Sequence, residues 1–266
     1  MNARMYAVTP EAESAWQALL GHVAREAEVP LDYVPYPAPR PLEDLWARPD
    51  LGCVFMCGYP IALRLADVEP LAAPIPDASW AGGRPVYRSD LIVRKDAPFR
   101  TLEDTFGGVA GWTVAHSHSG FNAFRHHLLP YRTPERPKLY REVKSNLVTA
   151  RRILDSVLDG SIDVGPLDAW WHRLIARHNQ DLTPGIRVLA STALAPIPAF
   201  VASPALPEAS RTRLRQAFAA ASSRPWFQAL AEPLCLTGFA PVARETYAPT
   251  LAWHVDALAA GYPEPA

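Results

Sequence analysis

Residues 87–129, YRSDLIVRKDAPFRTLEDTFGGVAGWTVAHSHSGFNAFRHHLL, decide the fold. Leu91-Ile92-Val93 is a short apolar run bounded by charge, which reads as a buried strand. A charged turn containing Pro98 follows, and Thr101 with Asp104 three residues on has the spacing of a capping box opening a short helix. Trp112 to Ala115 reads as a second strand. It runs into the polar loop Ser117-His118-Ser119-Gly120, and that loop opens another helix. In the order strand, crossover, strand, helix, the loop stands at the carboxyl end of a strand and the amino end of a helix. Unpaired backbone N–H groups and the helix dipole favour negative charge there. Two hydroxyls and an imidazole join them, so the stretch has the chemistry of an oxyanion site. Ser and Gly are equally ordinary N-cap residues, and capping is the plainer reading of the loop taken alone.

Upstream, Met5 to Val8 reads as a strand, Thr9-Pro10 as the cap and first turn of a helix, and Leu31 to Val34 as the next strand. A short helix over Leu42 to Trp46, a strand over Leu51 to Cys57, and a helix from Ile61 continue the alternation. This β-α-β-α-β-α order predicts a parallel sheet covered by helices. Downstream, Lys138 to Val143 and Ile162 to Gly165 read as strands around a helix whose apolar stripe includes Ile153, Leu154 and Val157. The last third is helical, apart from strands at 187–190 and 199–203.

The fold class is therefore α/β. The central block has strands of its own, entered near Arg88 and left between Thr192 and Pro198. That implies a lobe of residues 89–195 inserted into an outer lobe of 1–88 and 196–266, joined by a two-strand hinge with a ligand cleft between the lobes.

Composition narrows the function classes. The chain has 266 residues, 49% of them apolar and 20% charged, with a formal net charge of −1. Such a balance lacks the basic footprint of a nucleic-acid or acidic-membrane binder. No run approaches the ~18 apolar residues of a membrane-spanning helix, and the first residues lack the basic-then-apolar pattern of a secretion signal. A natural start at Met1 implies a cytoplasmic protein, and a removed leader a periplasmic one. Cys53 and Cys57 lie four residues apart in a strand, about 13 Å, too far for a disulfide without a bend. With Cys235 they read as buried thiols. His116 and His118 alternate on one side, but no third ligand stands at a recognisable spacing, so neither a metal nor a cofactor is expected.

At this point the residues resemble a known family, the substrate-binding proteins of phosphate, phosphite and phosphonate ABC uptake systems, with the type II periplasmic-binding fold. The likeness is to a proteobacterial branch without an export signal. It rests on Asp44-Leu45-Trp46, Cys57-Gly58-Tyr59-Pro60, Tyr87-Arg88-Ser89 before Leu91 to Arg94, Leu102-Glu103-Asp104, Ser117 to Arg125, and Val157 to Val164 followed by Asp168. Leu236 to Phe239 and Gly261-Tyr262-Pro263 complete the ordered set. The resemblance implies mixed sheets flanked by helices in two lobes. It also implies a cleft lined by Cys57, Gly58 and Tyr59 from one side, Tyr87 and Ser89 at the hinge, and Ser117, His118, Ser119 and Asn122 from the other, with Ser145 and Asp168 nearby.

The expected function is a solute-binding protein that closes on a small anionic ligand, with an ABC transporter permease as a further partner. Lys144-Ser145-Asn146 and Gly165-Pro166-Leu167-Asp168 depart from the family's usual residues and leave the ligand open. No nucleophile elbow, phosphate loop or dinucleotide fingerprint is present. The alternatives are an enzyme using Cys57, His118 and Asp168 in the same cleft, and a ligand-sensing partner of another protein.

Overall fold

The computed structural model describes all 266 residues. In chain order the strands are β1 (Val54–Met56), β2 (Glu69–Pro76), β3 (Val86–Tyr87), β4 (Ser89–Arg94), β5 (Val109–Gly111), β6 (Glu142–Lys144), β7 (Gly165–Asp168), β8 (Ile186–Ser191), β9 (Ala195–Pro196), β10 (Ala199–Ala202) and β11 (Leu236–Ala240). The helices are α1 (Pro10–Glu26), α2 (Leu42–Trp46), α3 (Gly58–Ala62), α4 (Ala123–Leu128), α5 (Ala150–Leu158), α6 (Ala169–His178), α7 (Glu208–Ala220), α8 (Phe227–Ala231) and α9 (Ala248–Ala259). They form two compact units, Met1–Tyr87 with Pro196–Ala248, and Arg88–Ala195 with Pro249–Ala266.

In the first unit, α1 forms where the sequence places it. Thr9 accepts a hydrogen bond from Ala12 N, Pro10 takes the first position, and Trp16, Leu19, Leu20 and Val23 are buried. Trp16 meets the rings of Phe55 on β1 and Phe200 on β10 edge-on, and those two rings stack at 3.8 Å. The sheet order is β1-β10-β2-β11, and every pairing is antiparallel. The expected parallel sheet is thus corrected.

The cause lies at the amino end, where Arg4–Tyr6 is a 3-10 turn rather than a strand. Residues 31–34 do not join a ladder either. Val34 is satisfied locally, its N–H by Met1 O and its carbonyl by the Asn2 amide. With those two strands missing, the neighbours of β1 and β2 return from the far end of the chain. β2 is central despite Pro70, Pro74 and Pro76. Register shifts at Phe200/Val201 and Leu236/Gly238 accommodate donors the prolines cannot supply.

In the second unit, β4 lies between β7 and β8 in an antiparallel sheet, and β5 pairs with β6 in parallel. A parallel bridge from Ala110 to Val164 gives β5 a second neighbour. The core gathers Leu91, Val93, Leu102, Ala110, Phe124, Leu128, Leu139, Tyr140, Val164 and Tyr262. Tyr262 there shows why the expected boundary needs correcting. Residues 249–266 pack with the second unit instead of closing the first, because Thr250 O, Pro263 O and Ala266 O accept from Asn122, Arg125 and Leu139 N. The chain therefore crosses between units three times.

Two local expectations also shift. The strand read at Trp112 to Ala115 is β5, three residues earlier, and the strand read at Ile162 to Gly165 is β7, three residues later. No helix is long and apolar enough to cross a membrane.

Candidate functional site

Three strand ends of the second unit converge, and a helix starts from each. Beyond β5, Trp112 N donates to Lys144 O, the last residue of β6, and Leu147 N and Val148 N donate back to Trp112 O and Thr113 O. Ser89 pairs with Asp168 across β4 and β7, and its Oγ donates to Ser119 O at 2.8 Å. These bonds bring Ser89, Ser117, His118, Ser119 and Asp168 to one edge, with exposed Ser145 on the adjoining loop. Ser117, Thr149 and Asp168 are the N-caps of the three helices, so three positive dipole ends meet at this edge.

The turn at residues 117–120 has a distinct construction. Residues His118–Asn122 form one π-turn ahead of α4, with Asn122 N donating to Ser117 O at 3.0 Å, and Ser117 Oγ accepts from Gly120 N at 3.0 Å. A Cβ on Gly120 would stand 2.0 Å from Thr113 Oγ1, so only glycine permits this approach. Thr113 itself was not anticipated. It is 7% exposed, and its hydroxyl has no hydrogen-bond partner. Its place inside a presumed strand concealed it.

His118 is 1% exposed, and burial, followed by the charge of His126, pushes its pKa down to about 3. Its ring lies 5.1 Å from that of Trp253, which stacks on His126 at 4.8 Å. Asn122, expected at the ligand, is fully buried, and its amide is engaged at both ends by Arg125, Thr250 and His118. Asp168 spends Oδ1 on Trp170 N and Trp171 N, a cap that holds the start of α6. Both side chains help to build this edge.

In the first unit, Cys57 follows β1 as the N-cap residue of α3 and is 7% exposed. Gly58 lets the Tyr247 ring in, since a Cβ there would come within 2.3 Å of it, and Tyr247 donates to Ile197 O at 3.2 Å. Burial, with Cys57 nearby, raises the Tyr247 pKa. Tyr59 is buried beside this group, and Tyr87 is buried at the end of the unit. Cys57 and Gly58 thus adjoin Tyr247, a residue that no motif singled out. No group of three or more His, Cys, Asp or Glu side chains is placed to hold a metal ion.

Mixed sheets with helices starting at a shared polar edge are the architecture of two-lobed periplasmic binding proteins, and solved structures match it over nearly the whole chain. A binding protein component of an ABC phosphonate transporter from Pseudomonas aeruginosa superposes with a TM-score of 0.81 at 15% identity, covering 98% of this chain and 87% of that one. PhnD1 from Prochlorococcus marinus, in complex with methylphosphonate, gives 0.73 at 13% identity and 96% of each chain. A Xanthomonas citri protein bound to chloride ion gives 0.64 at 21% identity, covering 98% and 97%. The family model described as ABC transporter, phosphonate, periplasmic substrate-binding protein matches residues 7–247, and this chain belongs to that family. No curated protein matches it in sequence. Its role is that of a solute-binding protein.

Proposed function

We propose that the solute is a small oxyanion of the phosphonate class, and that its charged end rests on the turn 117–120 of the second unit. The observation that carries this reading is the turn itself. Ser119 and the first main-chain N–H groups of the π-turn stand where three helix dipoles converge, beside a buried imidazole. Within the second unit Ser89 adjoins this turn, its Oγ donating to Ser119 O. The membership of a transporter family supports a permease as the partner that receives the loaded protein, and periplasmic work if the protein is exported. The enzyme alternative has no comparable support. Within the second unit, His118 Nδ1 faces an amide and not a carboxylate, and Asp168 Oδ1 is spent on a helix cap.

A thermal-shift panel of methylphosphonate, phosphate, sulfonates and dicarboxylates tests the ligand class. A ligand at about 100 times its dissociation constant stabilises by about 2.7 kcal/mol, which is a rise of several degrees for a chain of this size. The expected result is a rise with the phosphorus oxyanions. A rise confined to dicarboxylates would replace this ligand class.

A further inference from the structure

Asn122 is held by partners that leave no choice of orientation. Its Oδ1 accepts from Arg125 Nη2 at 2.8 Å, and a guanidinium only donates. Its Nδ2 donates to Thr250 O at 2.8 Å, and a carbonyl only accepts. The amide oxygen and nitrogen, which geometry alone often fails to distinguish, are therefore assigned. The same Nδ2 stands 3.2 Å from His118 Nδ1. An N–H facing that ring nitrogen requires it to accept, so the proton of the ring belongs on Nε2, and a second proton on Nδ1 would oppose the amide.

We propose that Asn122 and Arg125 are positioning residues that hold His118, within the oxyanion turn, as the neutral Nε2–H tautomer, so that the ring adds no charge there. The tautomer stands on the geometry alone, and its use in recognition rests on the function proposed above.

The surroundings agree. Arg125 is itself fixed, with Nη1 donating to Pro263 O at 2.7 Å, its guanidinium 4.9 Å from the Phe121 ring centroid, and Nη2 2.9 Å from His254 Nδ1. The charge that acts on His118 is that of His126; Arg125 and His254 stand one partner further, through Asn122, and Asp168 lies on β7, the strand packed against this turn. The carboxylate of Asp256 lies 3.5 Å from His126 Nε2, where it serves that ring. Burial, and after it the charge of His126, act against an imidazolium at His118, the direction its lowered pKa takes. A ring held neutral keeps the charge of the turn constant through the pH range in which an ordinary histidine changes charge.

Nitrogen-15 NMR of histidine-labelled protein without ligand reads the tautomer directly, with His118 assigned by the signals lost in His118→Gln. The expected spectrum shows His118 protonated on Nε2 and bare on Nδ1, unchanged from about pH 5 to 8, where free histidine titrates. In Asn122→Ala the lock is gone and mixed tautomers should appear, while burial still opposes the charged ring. A wild-type His118 that is protonated on Nδ1, averaged between tautomers, or titrating in that range overturns the proposal, whether or not the variant folds. Failure of methylphosphonate to bind would instead strike the proposed function and leave the tautomer standing.

Discussion

Gly120 shows how closely the candidate site is fitted. The atoms a Cβ would meet, Oγ1 and Cγ2 of Thr113, belong to a β-branched side chain that is stiff at χ1 and cannot swing aside. Gly120→Ala should therefore destabilise the protein by about 1–3 kcal/mol, the usual range for overpacking. Thr113→Ala removes both obstructing atoms, so the double variant should be more stable than Gly120→Ala alone, a non-additivity that denaturant titration measures directly. At this scale the sequence was partly legible. The Ser-x-Ser-Gly spacing pointed to a turn that could take an anion, and Ser117 does cap it. That Asn122 and Asp168 also serve neighbours was hidden, because residue type and spacing cannot tell a polar group that faces a ligand from one engaged within the protein. Asn122 is committed by Thr250, 128 positions away, a contact no local pattern announces.

Among the elements, those with strong local signals formed where expected, and those needing distant partners did not. α1 carries a cap, a leading proline and a full apolar stripe, and it starts where Thr9-Pro10 predicts. β5 and β7 moved by three residues because strand ends are set by pairing, and short apolar runs do not mark them. The antiparallel first sheet was hidden for the same reason, since its order depends on β10 and β11 returning from the last third of the chain.

The C-terminal segment is the clearest case. Tyr262 is 3% exposed in the core of the second unit, its hydroxyl donates to Ala266 O and accepts from Ala266 N, and Arg132 lies over its ring. Tyr262→Ala should cost about 3–5 kcal/mol, as removal of a large buried ring does. A conservative Tyr262→Phe should cost far less, because the ring contacts persist. Equal losses in the two variants, measured by chemical denaturation, would mean that the hydroxyl rather than the packing fastens this segment.

For the molecule as a whole, class and family were legible from the ordered set of short motifs, each weak alone, that runs from Asp44 to Pro263. The family model and the solved structures agree with it across the chain. What the motifs could not supply was the division of labour inside the site. Asn122, Arg125, Asp168 and Gly120 are committed to partners within the protein and hold the turn that the proposed function assigns to the solute.

The most direct measurement of the central claim is calorimetric titration of methylphosphonate into the wild-type protein and into Ser119→Ala. Ser119 is 9% exposed on the turn and is not the residue that caps it, so its loss should leave the fold intact. A hydrogen bond to a charged group contributes about 1.5–3 kcal/mol, so saturable one-to-one binding by the wild type should weaken roughly 10- to 100-fold in the variant. Equal affinity in the two proteins would contradict the placement of the anion on this turn.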